Sequence, residues 1–295
     1  MNKNAAISII VLLLIALSLI TAGSQGSIMI DDGYPLIGGY PLFAVCGSIG
    51  LILHWIFFIP SYVLKTDHYF DLIGSTSYII TVITAAILNP SLDMRGMIIC
   101  GMIVIWATRL GLFLFTRIKQ DGKDVRLDVI KTQFMLFLRL WTFGGLWVLA
   151  TAGAGLAAMT SRTTVDIGII GYIGIALWVF GFMVEVMADS QKREFRKDPK
   201  NKGRFISTGL WSWSQHPNYF GEITLWFGIA LLAYPAIDQW QLATLISPVF
   251  VYLLLTKVSG INLLDEIAQE RWGSDPEYLD YKNRTSKLIL SPPKK

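Results

Sequence analysis

The densest set of residues able to do chemistry lies between Glu185 and Glu222. Glu185, Asp189, Arg193 and Arg196 recur at spacings of three and four, which puts them near one face of a helix. A basic loop runs on to Arg204, and Gly209-Leu-Trp then leads into His216-Pro217-Asn218-Tyr219-Phe220-Gly221-Glu222. Pro217 suits the first turn of a new helix, where its missing N–H costs nothing. His216 and Asn218 read either as polar groups capping that helix or as ligand contacts, and Tyr219 either as an interfacial aromatic or as part of the same site. Glu222 falls one turn inside an apolar helix. An unpaired carboxylate is costly there, so it should meet a cation or a polar ligand.

A second set lies upstream. Arg109, in Trp106-Ala-Thr-Arg109-Leu-Gly111, sits well inside an apolar run and either snorkels toward the run's end or binds a ligand. The next loop, Gln120-Asp121-Gly122-Lys123-Asp124-Val125-Arg126, has cations able to hold a phosphate, although any basic loop beside a membrane would look alike. Asp71 opens another apolar run and is either a helix cap or a site carboxylate. His54 and His68 read as structural. No HExxH or HxxxH pattern occurs, so no metal site is expected. Cys46 and Cys100 lie in apolar runs without metal-ligand spacing and read as small buried hydrophobes.

The elements that must carry these residues are membrane helices. Of the 295 residues 53 % are hydrophobic and 16 % charged, and the mean hydropathy is +0.52. A soluble domain carries about a quarter charged residues. Eight apolar segments stand out, Ala5–Ala22, Ile37–Ile59, Leu72–Leu88, Gly96–Thr116, Thr132–Ala150, Ile167–Met187, Tyr219–Tyr234 and Trp240–Thr256. The last two are short and read as two spans or as one broken hairpin. The first, with Lys3 before it and small residues after it, also fits a signal peptide, but its apolar stretch exceeds a usual signal core and it reads as a retained span. The expected fold is therefore an all-α polytopic integral membrane bundle of about eight transmembrane helices. Glycines at Gly144-Gly145 and Gly153-Ala-Gly155 should serve close helix packing.

The charges alternate with the spans. Of the 25 Lys and Arg, 21 fall in loops on one side, Arg95 and Arg162 lie on the other, and Arg109 and Arg139 lie within spans. The positive-inside rule then places both termini in the cytoplasm. The net charge of +4 comes from the same bias, and without a zinc-finger spacing, recognition helix or basic tail, nucleic-acid binding is not expected.

These residues resemble the steroid 5α-reductase family, in particular its bacterial branch, from about Asp71 to the C-terminus. The strongest block is Gly209-Leu-Trp-(x)5-His216-Pro-Asn-Tyr-x-Gly-Glu222. It is supported by Trp106-x-x-Arg109-Leu, Gly122-x-Asp124-x-Arg126 and Asp189-x-x-Lys-x-x-Phe-Arg196. The His-Pro-Asn-Tyr block is shared with sterol reductases, and a close variant occurs in membrane isoprenylcysteine and phospholipid methyltransferases. The resemblance implies seven helices around NADPH and a lipid-like enone, with residues 1–36 as an added N-terminal helix and loop and 37–295 as the reductase-like domain. It implies cofactor contacts at Asp124, Arg126, Asp189, Arg196, Arg204, His216, Asn218 and Tyr219. It places Asp71, Trp106, Arg109 and Glu222 in the reacting centre. The chain departs from the steroid enzymes where they carry a tyrosine, here Trp106, and a glutamate, here Asp71. An indole N–H donates a hydrogen bond but does not supply a proton.

The expected function is NADPH-dependent reduction of the C=C bond of an apolar α,β-unsaturated ketone, a lipophilic molecule drawn from the bilayer. The expected location is a bacterial inner membrane, among membrane lipids. An S-adenosylmethionine-dependent membrane methyltransferase, or a non-enzymatic transporter or scaffold, are the rivals.

Overall fold

The computed structural model describes residues 3–31, 33–121 and 129–294, with side chains of 115–121 excepted. Among these residues the chain is helical, with isolated bridges and no strand. The helices are α1 (Lys3–Ser24), α2 (Leu42–Val63), α3 (Phe70–Leu88), α4 (Met94–Asp121), α5 (Phe134–Thr160), α6 (Ile169–Lys197), α7 (Pro217–Ala233), α8 (Ser247–Leu253), α9 (Ile261–Trp272) and α10 (Pro276–Arg284). Seven helical stretches among the described residues are long and apolar enough to cross a bilayer: α1, α2, α3, Met94–Leu114 of α4, α5, α6 and the composite stretch Gln239–Trp272. The protein is an all-α polytopic membrane bundle. The expected span at 219–234 is α7, a 17-residue helix. At 1.5 Å per residue it reaches about 25 Å, slightly short of a roughly 30 Å hydrocarbon core.

Two compact units make up the chain. The first comprises residues 1–171 and 230–247. Its hub is α5, on which α1, α2, α3 and α4 all pack. From Val148 to Thr160 every residue of α5 is buried, so this part of the helix is enclosed all round. The helix continues past the expected end at Ala150 because Ala, Gly and Thr pack well but register weakly as apolar. Among its glycines, Gly145 admits the Leu51 backbone so closely that a Cβ there would lie 2.7 Å from the Leu51 Cα, and a Cβ on Gly144 would lie 2.7 Å from His54 Nε2. Gly153 leaves ordinary room, with Thr244 at 3.6 Å.

The two cations on the sparsely charged side are absorbed by backbone. Arg95 is 1 % exposed and donates to the carbonyls of Leu232, Val165 (3.1 Å) and Asp166 (2.9 Å). Arg162 Nε donates to Ser27 O at 2.8 Å. Both charges thus tie loops together and satisfy carbonyls freed at helix ends.

The second unit comprises residues 172–229 and 248–295. Its frame is the pair α6 and α7, which meet backbone to backbone. A Cβ on Gly221 would lie 2.6 Å from Gly181 O, and one on Gly228 would lie 2.7 Å from Trp178 N. Small residues at such crossings let transmembrane helices approach closely. The expected span Trp240–Thr256 is not one regular helix. It is a 3₁₀ stretch (Gln239–Ile246), then α8, then a π-helical turn (Leu254–Val258). Gly260 ends it, since a Cβ there would overlap the Leu255 carbonyl. A π-turn inserts an extra residue and re-aims the chain beyond it, and here it launches α9.

Candidate functional site

The candidate site residues of the second unit are fastened around the end of α6. Gly209 takes a positive φ of 63°, and its turn lets Leu210 N donate to Gln191 Oε1 at 2.9 Å. The Trp211 indole donates to Ala188 O at 3.0 Å, and the Lys192 ammonium lies 4.5 Å above the Trp211 ring. The Gly209-Leu-Trp block is therefore a clip that pins the loop to α6. Its continuation places His216 against α7, where its ring stacks on Tyr219 with centroids 5.6 Å apart. Pro217 is the first residue of α7, as its ring geometry favours.

The clip, the end of α6, α9 and α10 enclose a cavity of about 170 Å³. Lys192, Arg196, Arg204 and Arg271 supply its cations. Phe205, Trp211, Trp272, Tyr278 and Tyr281 supply flat walls. Phe205 holds the aromatic side together, with ring centroids 5.2 Å from Tyr278 and 5.4 Å from Tyr281. The Tyr281 hydroxyl donates to Trp211 O at 2.7 Å, and burial, reinforced by Tyr278, holds this phenol protonated well above its usual range.

His216 and Asp265 also line the cavity. His216 is 7 % exposed, and its Nε2 has no hydrogen-bond partner. The nearest Asp265 oxygen stands 3.8 Å away, beyond hydrogen-bond reach. Burial pushes the imidazole down to about 4, and Lys192 and Lys287 act in the same sense against the opposing pull of Asp265. The ring is thus neutral near pH 7, with Nε2 turned toward Asp265. A buried nitrogen of this kind needs a polar partner, a water or a ligand.

Of the residues expected at a cofactor site, Arg196, Arg204 and His216 meet in this cavity. Asp189 and Asn218 meet each other, with Asn218 Nδ2 donating to Asp189 Oδ1 at 3.2 Å. Tyr219 stacks on His216. Glu185 is 2 % exposed and Asp189 7 %, so the carboxylates at the end of α6 are buried. Glu222 is half-buried on α7. In the first unit, Asp71 sits in the first turn of α3. Trp106 is fully buried on α4 and meets the Tyr78 ring edge-on at 5.2 Å. Arg109, one turn further, lies 5.1 Å from the Phe113 ring centre. Asp124 and Arg126 lie outside the described residues. Sequence reasoning missed Asp265, Arg271, Trp272, Tyr278 and Tyr281. They come from a polar C-terminal stretch without motif spacing, and only the turn after α8 brings them to the clip.

A fission-yeast relative described only as "Uncharacterized protein C594.04c" is 23 % identical over 227 residues, covering 66 % of this chain and 63 % of its own. The 3-oxo-5-alpha-steroid 4-dehydrogenase 1 of Bos taurus is 33 % identical over 70 residues, 24 % of this chain and 27 % of that protein. The Mus musculus protein of the same name is 33 % identical over 61 residues, 21 % and 24 % of the two chains. The chain thus spans under two thirds of the first relative's length and about a quarter of the steroid enzymes'. No solved structure matches. The similarity to steroid 5α-reductases is distant and local, whereas a family profile described as "Protein of unknown function (DUF1295)" matches residues 57–285, and the chain belongs to that family.

Proposed function

We propose that this membrane protein is an oxidoreductase that uses NADPH to reduce the C=C bond of an apolar α,β-unsaturated ketone taken from the bilayer. The observation that carries the reading is the cavity of the second unit. Arg196, Arg204 and His216, separated in sequence, converge there with further cations and aromatic walls. Those groups suit the phosphorylated end of a dinucleotide: guanidinium groups pair phosphate oxygens in forked geometry, flat rings cover a base or ribose, and the orphan His216 Nε2 meets a hydroxyl or phosphate. NADPH would supply the hydride. Asp189, locked to Asn218, would orient the same ligand from the α6–α7 side. The distant similarity to steroid enzymes supports an oxidoreductase of this kind.

In such a reduction hydride would go to the β-carbon and a proton from water to the α-carbon; negative charge would build on the ketone oxygen in between, and a donor placed there would lower the barrier. In the first unit Trp106 would offer an indole N–H, Asp71 a carboxyl group and Arg109 a positive field, and in the second unit Glu222 is the carboxyl candidate. The substrate would be a lipid-like enone, in keeping with an apolar, bilayer-facing bundle. On this reading residues 1–36 add a helix to a reductase-like domain at 37–295, and the basic loops face the cytoplasm, as in a bacterial inner membrane.

The test is thermal melting of the detergent-purified full-length protein with NADPH, NADH and S-adenosylmethionine. A ligand that binds only the folded state stabilises it by about 2.7 kcal/mol at a hundredfold excess over Kd. NADPH should raise Tm, and Arg196→Ala should weaken NADPH at least about tenfold, as loss of a charge-assisted contact does. Protection by S-adenosylmethionine alone would point instead to methyl transfer. Protection by none of the three would end the cofactor reading.

A further inference from the structure

The cavity has a feature at odds with anion binding. Asp265 is the one acidic residue among the described residues of its wall, which carries four cations. A bare carboxylate there would repel a phosphate that the arginines attract. Asp265 is not bare: its Oδ2 lies 2.7 Å from Lys287 Nζ. Lys287 belongs to the tail beyond α10, and that tail is fastened on both sides of it. Gln215 N donates to Ser286 O at 2.8 Å, and Ser214 Oγ donates to Leu288 O at 2.7 Å. Gln215 Nε2 adds bonds to Lys282 O and Thr285 O, and Ser291 N reaches Trp213 O. These bonds strap the tail to the residues just before His216.

The Lys287 side chain is 57 % exposed, and an ion pair so open to water adds little to stability. Its fixed backbone points to electrostatics as its role. Asp265 also faces His216 Nε2 at 3.8 Å, so its charge decides how strongly that ring is drawn toward protonation. Lys287 opposes that pull.

We infer that Lys287 is a specificity-determining residue of the nucleotide cavity: held by the C-terminal strap, it neutralises Asp265 so that the wall accepts the phosphate-bearing end of the ligand. The inference rests on the NADPH reading. Lys287 is a positioning residue in this sense, acting through Asp265 without touching the ligand.

The experiment is a double-mutant cycle on the detergent-purified full-length protein, reading Kd for NADPH. Lys287→Ala should raise Kd about tenfold, the scale of one unscreened like charge a few ångströms from a phosphate at a partly wet site. Lys287→Arg should keep Kd within about twofold, and Asp265→Asn alone should not weaken binding. The deciding variant is Lys287→Ala with Asp265→Asn, which should recover nearly wild-type affinity because the charge that needed masking is gone. A double variant as weak as Lys287→Ala would overturn the inference, since Lys287 would then hold the ligand directly or support the strap. Weakening by Asp265→Asn alone would overturn it too, by making Asp265 a ligand contact. Equal Kd across all variants would leave Lys287 without a role at the site. If the wild type failed to bind NADPH, the cofactor reading itself would fall and this inference with it; binding by the wild type without the rescue pattern would remove only the inference.

Discussion

The α6–α7 crossing offers a sharp test, because Gly221 sits where the two backbones touch. Replacing it with Ala puts a Cβ 2.6 Å from Gly181 O, 2.7 Å from Glu185 N and 3.0 Å from Glu185 Cβ. Two of those three atoms are backbone, so no side chain can swing away. Restoring an ordinary 3.4 Å contact requires the helices to part by about 0.8 Å. Overpacking of that size costs about 1–3 kcal/mol, and Ala returns up to about 1 kcal/mol of helix propensity, so a net loss near 1 kcal/mol is expected. One turn away, the Asn218–Asp189 bond at 3.2 Å would stretch to about 4 Å and be lost, so NADPH should bind about tenfold more weakly. The assay is Tm in detergent with and without NADPH. Gly101→Ala is the control, since a Cβ there meets nothing within 4 Å, and it should melt at or above wild type. A Gly221→Ala protein that melted as high as that control, with unchanged NADPH affinity, would refute the claim that this crossing is closed to a methyl group.

Two further outcomes are expected. Arg95→Met leaves the carbonyls of Leu232, Val165 and Asp166 without their donor and should cost about 3–5 kcal/mol, read as a fall in Tm or lost folded yield, with Arg95→Lys intermediate. His216 has its folded value depressed to about 4, against 6.5 when unfolded. The unfolded chain therefore takes up a proton first on acidification. The stability from the buried neutral ring is complete above pH 6.5 and is lost as pH falls toward 4. Tm should drop across that window, and His216→Gln should flatten the part of the slope that belongs to this ring.

Much of the fold was legible in the sequence because the bilayer imposes a one-dimensional rule: a span needs a long apolar run, and loops carry charge by side. The helix from Ile169 through Arg196 could be read from its apolar run and the spacing of its charged residues, and the start of α7 at Pro217 from the proline. What escaped was structure decided by packing. The far half of α5 is small residues whose burial all round makes it a hub, and composition alone gives Ala and Gly little weight. Gly181 and Gly228 carry no signal in the sequence, Gly221 only that of a motif, and the packing role of all three emerges only when a neighbouring backbone is placed against them.

The site divides along the same line. Asp189, Arg193 and Arg196, helically spaced, and the consecutive His216–Glu222 block were legible as two local clusters, since local backbone geometry sets such distances, and the family resemblance, not spacing, joined them and added Arg204. Asp265, Arg271, Tyr281 and Lys287 were not, because their positions depend on the π-helical turn at Leu254–Val258, the break at Gly260 and the strap across Ser214 and Gln215. The sequence alone determined which charges the protein carries and how they alternate with its spans. Only the tertiary structure decided which of them face one another, because two side chains far apart in sequence, such as His216 and Asp265, come within ion-pair reach only when the intervening chain turns back on itself.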